Sequence, residues 1–250
     1  MIKVAIVGAG RMGQEIAKAI EQDKSFALTG IVDAPGAERI GKVINGAVIT
    51  DDIYIGSKGA DIIIDFSGAA GTASHIKDYA ILKLPLIVGS TGLSEKDEKA
   101  LIELSKQTAV LVDANMSIGV NIMLKLAETA SRAVGKDFDI EILEAHHRHK
   151  KDAPSGTALS LARAASRGEE LVINGRSGER TEGVLGIQVL RGGDCAGEHT
   201  VFYFGEAERL EITHRAANRA IFAKGGLRAA KWLIGKPAGL YKMRDVLGIS

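Results

Sequence analysis

The chain has 250 residues, 46% hydrophobic and 25% charged, which suits a globular protein with one large domain or two modest ones. Thirty-two basic side chains balance thirty-one acidic ones, so no overall field draws it to nucleic acid or a membrane, and any anionic ligand needs a local cluster. A single cysteine, Cys195, excludes an internal disulfide and a cysteine-built metal cage, and no apolar run approaches the ~20 residues of a membrane span.

Lys3–Val7 reads as a buried strand running into Gly-Ala-Gly-Arg-Met-Gly at 8–13. With the first strand beginning at residue 3, no signal peptide is expected, and a reducing cytoplasm is the expected setting. A helix follows over Arg11–Gln22, with Met12, Ile16, Ala19 and Ile20 on one side, and the strand Ala27–Val32 then ends at Asp33. In this pattern Gly8 permits the tight turn, Gly10 leaves room for a pyrophosphate and Gly13 lets the helix pack close to the strand. The first N–H groups of that helix face the phosphates, and a carboxylate about 20 residues beyond the last glycine accepts from ribose hydroxyls. Strand, glycines, helix and acid together point to a dinucleotide site.

Residues 34–52 are glycine-rich and irregular, with one short strand expected at Ala47–Ile49. Asp61–Phe66 reads as a fully buried strand, followed by a helix over Thr72–Leu82 and a strand at Leu86–Val88. Ser94 caps a helix with acids in its first turn and Lys106 near its end, and Ala109–Val112 is a further strand. Alternating strands and helices imply a parallel sheet covered on both faces. The residues after successive strands are Gly8–Gly13, Asp33, Phe66–Ser67, Gly89-Ser90-Thr91 and Asp113-Ala114-Asn115-Met116. Ligands bind beyond the carboxyl ends of such strands, so these loops are expected to line one crevice.

The pattern changes after residue 116. A long amphipathic helix covers Ile118–Val134, and Asp137–Ala145 alternates, with Phe138, Ile140 and Ile142 set against Asp139, Glu141 and Glu144. A helix over Thr157–Ser166 precedes strands at Glu170–Ile173, Gly186–Leu190, Thr200–Phe204 and Leu210–Thr213. Strands without intervening helices suggest a mainly antiparallel sheet with one face on the helices. The last helix, Asn218–Ile234, is stopped by Gly235 and Pro237 and is read as returning to the first domain. The expected fold is therefore α/β: a Rossmann-like parallel domain (1–116, completed by 217–250) and a smaller α+β domain (117–216) for substrate binding and oligomerisation.

The segment 144–157 is the most unusual. Half of the six histidines fall within four residues, as His146, His147 and His149, beside Arg148, Lys150 and Lys151. Crowded cations are costly unless an anion occupies the site, which points to a small polyanion such as a dicarboxylate. Pro154-Ser155-Gly156-Thr157 opens a helix whose N–H groups can hold one carboxylate while a nearby lysine takes the other. A solvated basic loop is the plain alternative. A metal held by His146, His147 and His149 is disfavoured, because adjacent cations repel a divalent ion. No metal is expected. His199 and His214 read as hydrogen-bonded structural residues on strands, and His75 as a surface residue of a helix.

These residues resemble the 4-hydroxy-tetrahydrodipicolinate reductase family, also called dihydrodipicolinate reductase, of diaminopimelate and lysine biosynthesis. The likeness runs end to end. It includes Gly-Ala-Gly-Arg-Met-Gly, Gly-Ser-Thr-Gly at 89–92, Asn-Met-Ser-Ile-Gly-Val-Asn at 115–121, Glu-Ala-His-His-Arg-His-Lys at 144–150, Asp-Ala-Pro-Ser-Gly-Thr at 152–157 and Gly-Glu-His-Thr at 197–200. The resemblance implies hydride transfer from a reduced nicotinamide to C4 of a cyclic imine dicarboxylate. It implies His146 as general acid/base, Lys150 as proton donor, and His147, Gly156 and Thr157 as carboxylate-binding residues. It also implies cofactor contacts at Gly8, Ala9, Gly10, Arg11, Met12, Gly13, Asp33, Gly89, Ser90, Thr91, Asp113, Ala114, Asn115 and Met116, and a cytoplasmic homotetramer joined through the second domain's sheet.

Two departures matter. Ala34 and Pro35 follow Asp33 where some relatives carry an arginine for the 2′-phosphate of NADPH, so NADH is expected to be favoured, with Arg11 or Arg39 able to rescue part of NADPH binding. Ser67-Gly68-Ala69-Ala70 replaces a more polar turn seen in some relatives. The alternatives to the reductase are a catalytically silent dinucleotide sensor and an amino-dicarboxylate dehydrogenase. The first predicts loss of His146 or Lys150, and the second gives no reason to keep His-His-Arg-His-Lys.

Overall fold

The computed structural model describes residues 1–173, 175 and 178–249. Its elements begin with β1 (Ile2–Val7), α1 (Arg11–Gln22), β2 (Phe26–Val32), β3 (Val43–Ile44), β4 (Ala47–Thr50) and α2 (Ile53–Gly56). Next come β5 (Ile62–Asp65), α3 (Ala69–Leu82), β6 (Leu86–Val88), α4 (Glu95–Ser105), β7 (Ala109–Val112) and α5 (Ile118–Val134). A 3-10 turn leads to β8 (Asp139–His146), α6 (Gly156–Ala165), β9 (Glu170–Ile173), β10 (Val184–Arg191), β11 (Glu198–Gly205) and β12 (Glu208–Arg215). The chain closes with α7 (Ala220–Leu233), β13 (Gly239–Tyr241) and α8 (Met243–Leu247). Two compact units result: Met1–Ile118 with Arg219–Ser250, and Gly119–Asn218.

The first unit is a sheet ordered β13-β7-β6-β5-β1-β2-β4-β3, parallel throughout except where β3 meets β4. Alternation along β1 divides its side chains between two cores. Val4 and Ile6 pack with Ile16 and Ile20 of α1 and Leu227 and Leu233 of α7, while Ala5 and Val7 pack with Tyr79 and Leu101 from α3 and α4. The buried stripe of α1 is Gly13, Ile16, Ala17 and Ile20, spaced three and four apart, so Met12 and Ala19 lie at its margin. Ser94 and Asp97 form a reciprocal cap at the start of α4, whose first turn is acidic and complements the helix dipole. No helix among the described residues is long and apolar enough to cross a membrane.

The second unit is a sheet ordered β12-β11-β8-β10-β9. β11 pairs antiparallel with both β12 and β8, while β10 pairs parallel with β8 and β9; the antiparallel ladders are eight and seven residue pairs long and the parallel ones seven and four, so antiparallel pairing predominates. Ile140, Ile142, Leu185, Ile187, Val201 and Tyr203 form one apolar face against Met123 and Ala127 of α5 and Ala158 and Leu161 of α6. The opposite face carries exposed Leu190 and Phe204. The alternation in β8 corrects one sequence expectation. Glu144 shares the inward face with Ile140 and Ile142, as a period of two requires, and is wholly buried rather than lying with Asp139 and Glu141.

Candidate active site

In the first unit, the strands from β1 to β7 that carry the expected cofactor loops are parallel, so those loops all leave the same edge of the sheet. β2 and β5 flank β1 on opposite sides, and this reversal of strand order is where such sheets bind ligands. Gly8 has φ +100°, and a Cβ on Gly13 would lie 1.9 Å from the Gly8 carbonyl oxygen, so the turn closes directly onto α1. A Cβ on Gly10 would meet nothing within 4 Å. Gly10 caps α1 without a side-chain hydrogen bond, leaving an open cradle before the helix N-terminus that fits a pyrophosphate. Ala9 is buried, Arg11 is exposed and Met12 is half-buried. Beyond β2, half-buried Asp33 accepts from the N–H of Ala34 at 3.0 Å, and no cation pairs with it among the described residues.

The neighbouring loops are knit by Asp65, Thr72 and Tyr79, whose roles the sequence did not declare, together with the expected Ser67 and Ser90. Asp65, wholly buried at the end of β5, accepts from the N–H and hydroxyl of Ser67 at 2.8 and 2.6 Å and from the Tyr79 hydroxyl at 2.8 Å. Burial and the facing Asp65 carboxylate hold the Tyr79 phenol well above its usual range. Ser67 lies against Gly8, where a Cβ would come within 2.8 Å of it. The Ser90 hydroxyl turns inward and accepts from Gly68 N–H at 3.0 Å and Thr72 at 2.8 Å, and the Phe66 ring covers Gly89. Thr91 and Ala114 are exposed. Asp113 accepts from the N–H groups of Asn115 and Met243, at 3.3 and 3.0 Å, and Asn115 accepts from Ser117 N–H at 2.9 Å. Met116 has its side chain in the core. The loops after β1, β5 and β6 are thus in mutual contact, whereas Asp113 and Met116 have side chains engaged within the fold.

In the second unit, sheet register assembles a polar cluster inside an apolar core. β8 is central, Arg191 of β10 stands opposite His146, and His199 of β11 stands opposite Glu144. Glu144 Oε1 accepts from Ser155 N–H and Arg191, each at 2.9 Å, and Oε2 accepts from Arg191 at 2.9 Å and shares a hydrogen bond with His146 Nδ1. Burial pushes the Glu144 carboxyl up, but the hydrogen bonds from His146, Arg191 and Ser155 outweigh it and bring the pKa down to about 2. His199 packs edge-on against His146 with ring centroids 5.2 Å apart, and its Nε2 lies 3.2 Å from the Ser155 hydroxyl. Burial, then repulsion from His146, lowers its pKa to about 4. His199 is hydrogen-bonded as expected, through Nε2, while Nδ1 of both His199 and His214 is buried without a partner among the described residues. His75 is half-buried and lies 3.2 Å from Asp78.

The basic loop leaves this buried base. His147 N–H donates to the Cys195 carbonyl at 2.7 Å, and the His147 and His149 rings lie 6.3 Å apart. Lys150 Nζ is 2.9 Å from Asp152, which burial raises and Lys150 more than offsets, so the Asp152 pKa is lowered. Ser155 caps α6 by accepting from Ala158 N–H at 3.1 Å; Gly156 is exposed with open space where a Cβ would stand, and half-buried Thr157 follows. The cluster can exchange a proton at His146, present a cation at Lys150 beside the His147 imidazole and seat a carboxylate at the helix start. Glu144, His146 and His199 also bring ligand atoms within 4.8 Å of one another. Arg191 grips both oxygens of Glu144, so a divalent cation there would face a guanidinium.

Family models named dihydrodipicolinate reductase, N-terminus, and dihydrodipicolinate reductase, C-terminus, match residues 2–116 and 119–247. The chain belongs to the dihydrodipicolinate reductase family. It is 41% identical to a 4-hydroxy-tetrahydrodipicolinate reductase of Thiobacillus denitrificans over 264 residues, covering 99% of each chain. It is likewise 41% identical to one from Anaeromyxobacter dehalogenans over 266 residues, covering 100% of this chain and 98% of the relative. Among solved structures, a dipicolinate-bound dihydrodipicolinate reductase from Paenisporosarcina sp. TG-14 superposes with a TM-score of 0.79 at 22% identity, covering 98% of each chain. Membership in this reductase family favours neither the silent sensor nor the amino-dicarboxylate dehydrogenase. It makes the first unit a dinucleotide-binding dehydrogenase fold, the kind that takes NAD(P)H.

Proposed function

We propose that the chain reduces 4-hydroxy-tetrahydrodipicolinate to tetrahydrodipicolinate with NAD(P)H in diaminopimelate and lysine biosynthesis. Overall, the 4-hydroxyl leaves as water, a hydride takes its place at C4 and one proton is consumed. The observation that carries this reading is the cationic loop His146–Lys150 rising from a buried Glu144–His146 pair and ending at the start of α6. A bound reduced nicotinamide supplies the hydride. Gly156 and Thr157 seat one substrate carboxylate at the helix N-terminus, and His147 and Lys150 hold the other. Hydride arrival builds negative charge on the conjugated imine, which Lys150 neutralises by donating a proton, with His146 as general acid/base. Lys150 leaves its pairing with Asp152 to do so.

The dinucleotide lies along Gly8–Gly13, with its adenosine ribose on Asp33 and further contacts at Gly89–Thr91 and Asp113–Met116, the last two through backbone. NADH is favoured over NADPH because a carboxylate without a paired cation repels a 2′-phosphate. The chain works in the cytoplasm as a homotetramer joined through the sheet face that carries Leu190 and Phe204. The test mixes aspartate semialdehyde, pyruvate and the upstream synthase with this protein and follows NADH absorbance. Oxidation dependent on all components supports the assignment, and oxidation no faster than without the protein refutes it.

A further inference from the structure

Glu144 is the one buried carboxylate among the described residues of the second unit, and the reaction gives it no direct contact with substrate. Three of its contacts are fixed donors, Arg191 on both oxygens and Ser155 N–H on Oε1, and His146 Nδ1 lies against Oε2. An ionised carboxylate only accepts hydrogen bonds, so the hydrogen between it and His146 sits on Nδ1. The opposite nitrogen, Nε2, faces Gly197, where even a Cβ would approach within 3.0 Å. The His199 ring packs edge-on against the His146 ring, with ring centroids 5.2 Å apart. Lys150 is the further cation that acts on this cluster.

We infer that Glu144 is the positioning residue of the reaction: it fixes His146 as the Nδ1–H tautomer, leaving Nε2 as the nitrogen that exchanges protons, while Arg191 keeps Glu144 ionised. The inference rests on the reading of His146 as general acid/base. An anion on Nδ1–H orients the ring and stabilises the imidazolium formed when Nε2 takes a proton. Without Arg191, the buried carboxylate could take up a proton itself and return the bond in the other sense.

Nitrogen-15 NMR of the full chain labelled at histidine, with NADH bound, reads the tautomer without any substitution. Nε2 unprotonated and Nδ1 protonated in neutral His146 is expected; the reverse tautomer, or an even mixture, overturns the proposal. Glu144→Gln is expected to lower kcat about 100-fold while KM and NADH affinity change by less than about threefold, the split expected of a residue acting through another. Arg191→Lys, which keeps a cation beside the carboxylate, is expected to retain the Nδ1–H tautomer and kcat within about tenfold. Unchanged kcat in Glu144→Gln, with activity abolished in His146→Ala, overturns the role of Glu144 and leaves that of His146 standing. Full activity in His146→Ala defeats the parent reading instead. If Glu144→Gln does not fold, the tautomer in the unsubstituted protein decides.

Discussion

Arg191 meets both carboxylate oxygens of Glu144 at 2.9 Å, across a parallel strand pair that sets the arginine beside His146. Removing the guanidinium leaves a wholly buried charge with only His146 and one N–H for compensation. Arg191→Met is therefore expected to destabilise the protein by about 3 kcal/mol, read from urea unfolding. A loss below about 1 kcal/mol would show that the pair carries little of the local stability.

Among the groups with lowered pKa values, two buried ones add acid sensitivity in successive windows. His199 has its pKa lowered from 6.5 to about 4, so below pH 6.5 the unfolded chain binds a proton that the folded chain refuses. Stability present above 6.5 is lost as pH falls toward 4. Glu144, lowered from 4.5 to about 2, contributes stability present above 4.5 and lost as pH falls toward 2. Each is worth about 3 kcal/mol at full extent. Urea midpoints between pH 8 and 4 should fall in the parent protein and fall less in His199→Gln. Equal slopes would remove His199 as the cause of the upper window.

Two glycines of one motif should behave in opposite ways. Gly10→Ala places a methyl group in open space, so the unfolding midpoint should hold while NADH binding weakens about tenfold or more. Gly13→Ala drives a Cβ to 1.9 Å from a carbonyl oxygen and should damage the fold itself. Loss of folding in Gly10→Ala with unchanged cofactor affinity would argue against a pyrophosphate at this turn.

Asp33 should set the choice of dinucleotide. The kcat/KM for NADH is expected to exceed that for NADPH, and Asp33→Ala should narrow the ratio by removing the carboxylate that repels a 2′-phosphate. A strong bias toward NADPH would instead assign the phosphate to Arg11 or Arg39.

Local chemistry made much of this legible in the sequence. The glycine turn and stripe of α1, the Ser94 cap of α4 and the continuous apolar run of β5 each declare themselves within a few residues. The short elements β3, α2, β13 and α8 did not: β3 and α2 are local but only two and four residues long, too short to show a period, whereas β13 pairs with distant β7 and α8 is held where Asp113 accepts from Met243. Glu144 was misplaced by residue type, although its register with Ile140 and Ile142 was available. Arg191 and His199 lie about fifty residues from Glu144 and reach it only through strand pairing, which no local pattern encodes. Asp65 left a usable signal: a charge at the end of a run of buried isoleucines must have partners.

The most direct measurement is a crystal structure of the protein with NADH and pyridine-2,6-dicarboxylate, a planar mimic of the substrate ring. The account predicts one carboxylate on the Gly156 and Thr157 N–H groups, the other within reach of His147 and Lys150, and the nicotinamide C4 facing the ring. An analogue bound elsewhere, with His146 and His147 turned into bulk solvent away from that C4, would contradict it.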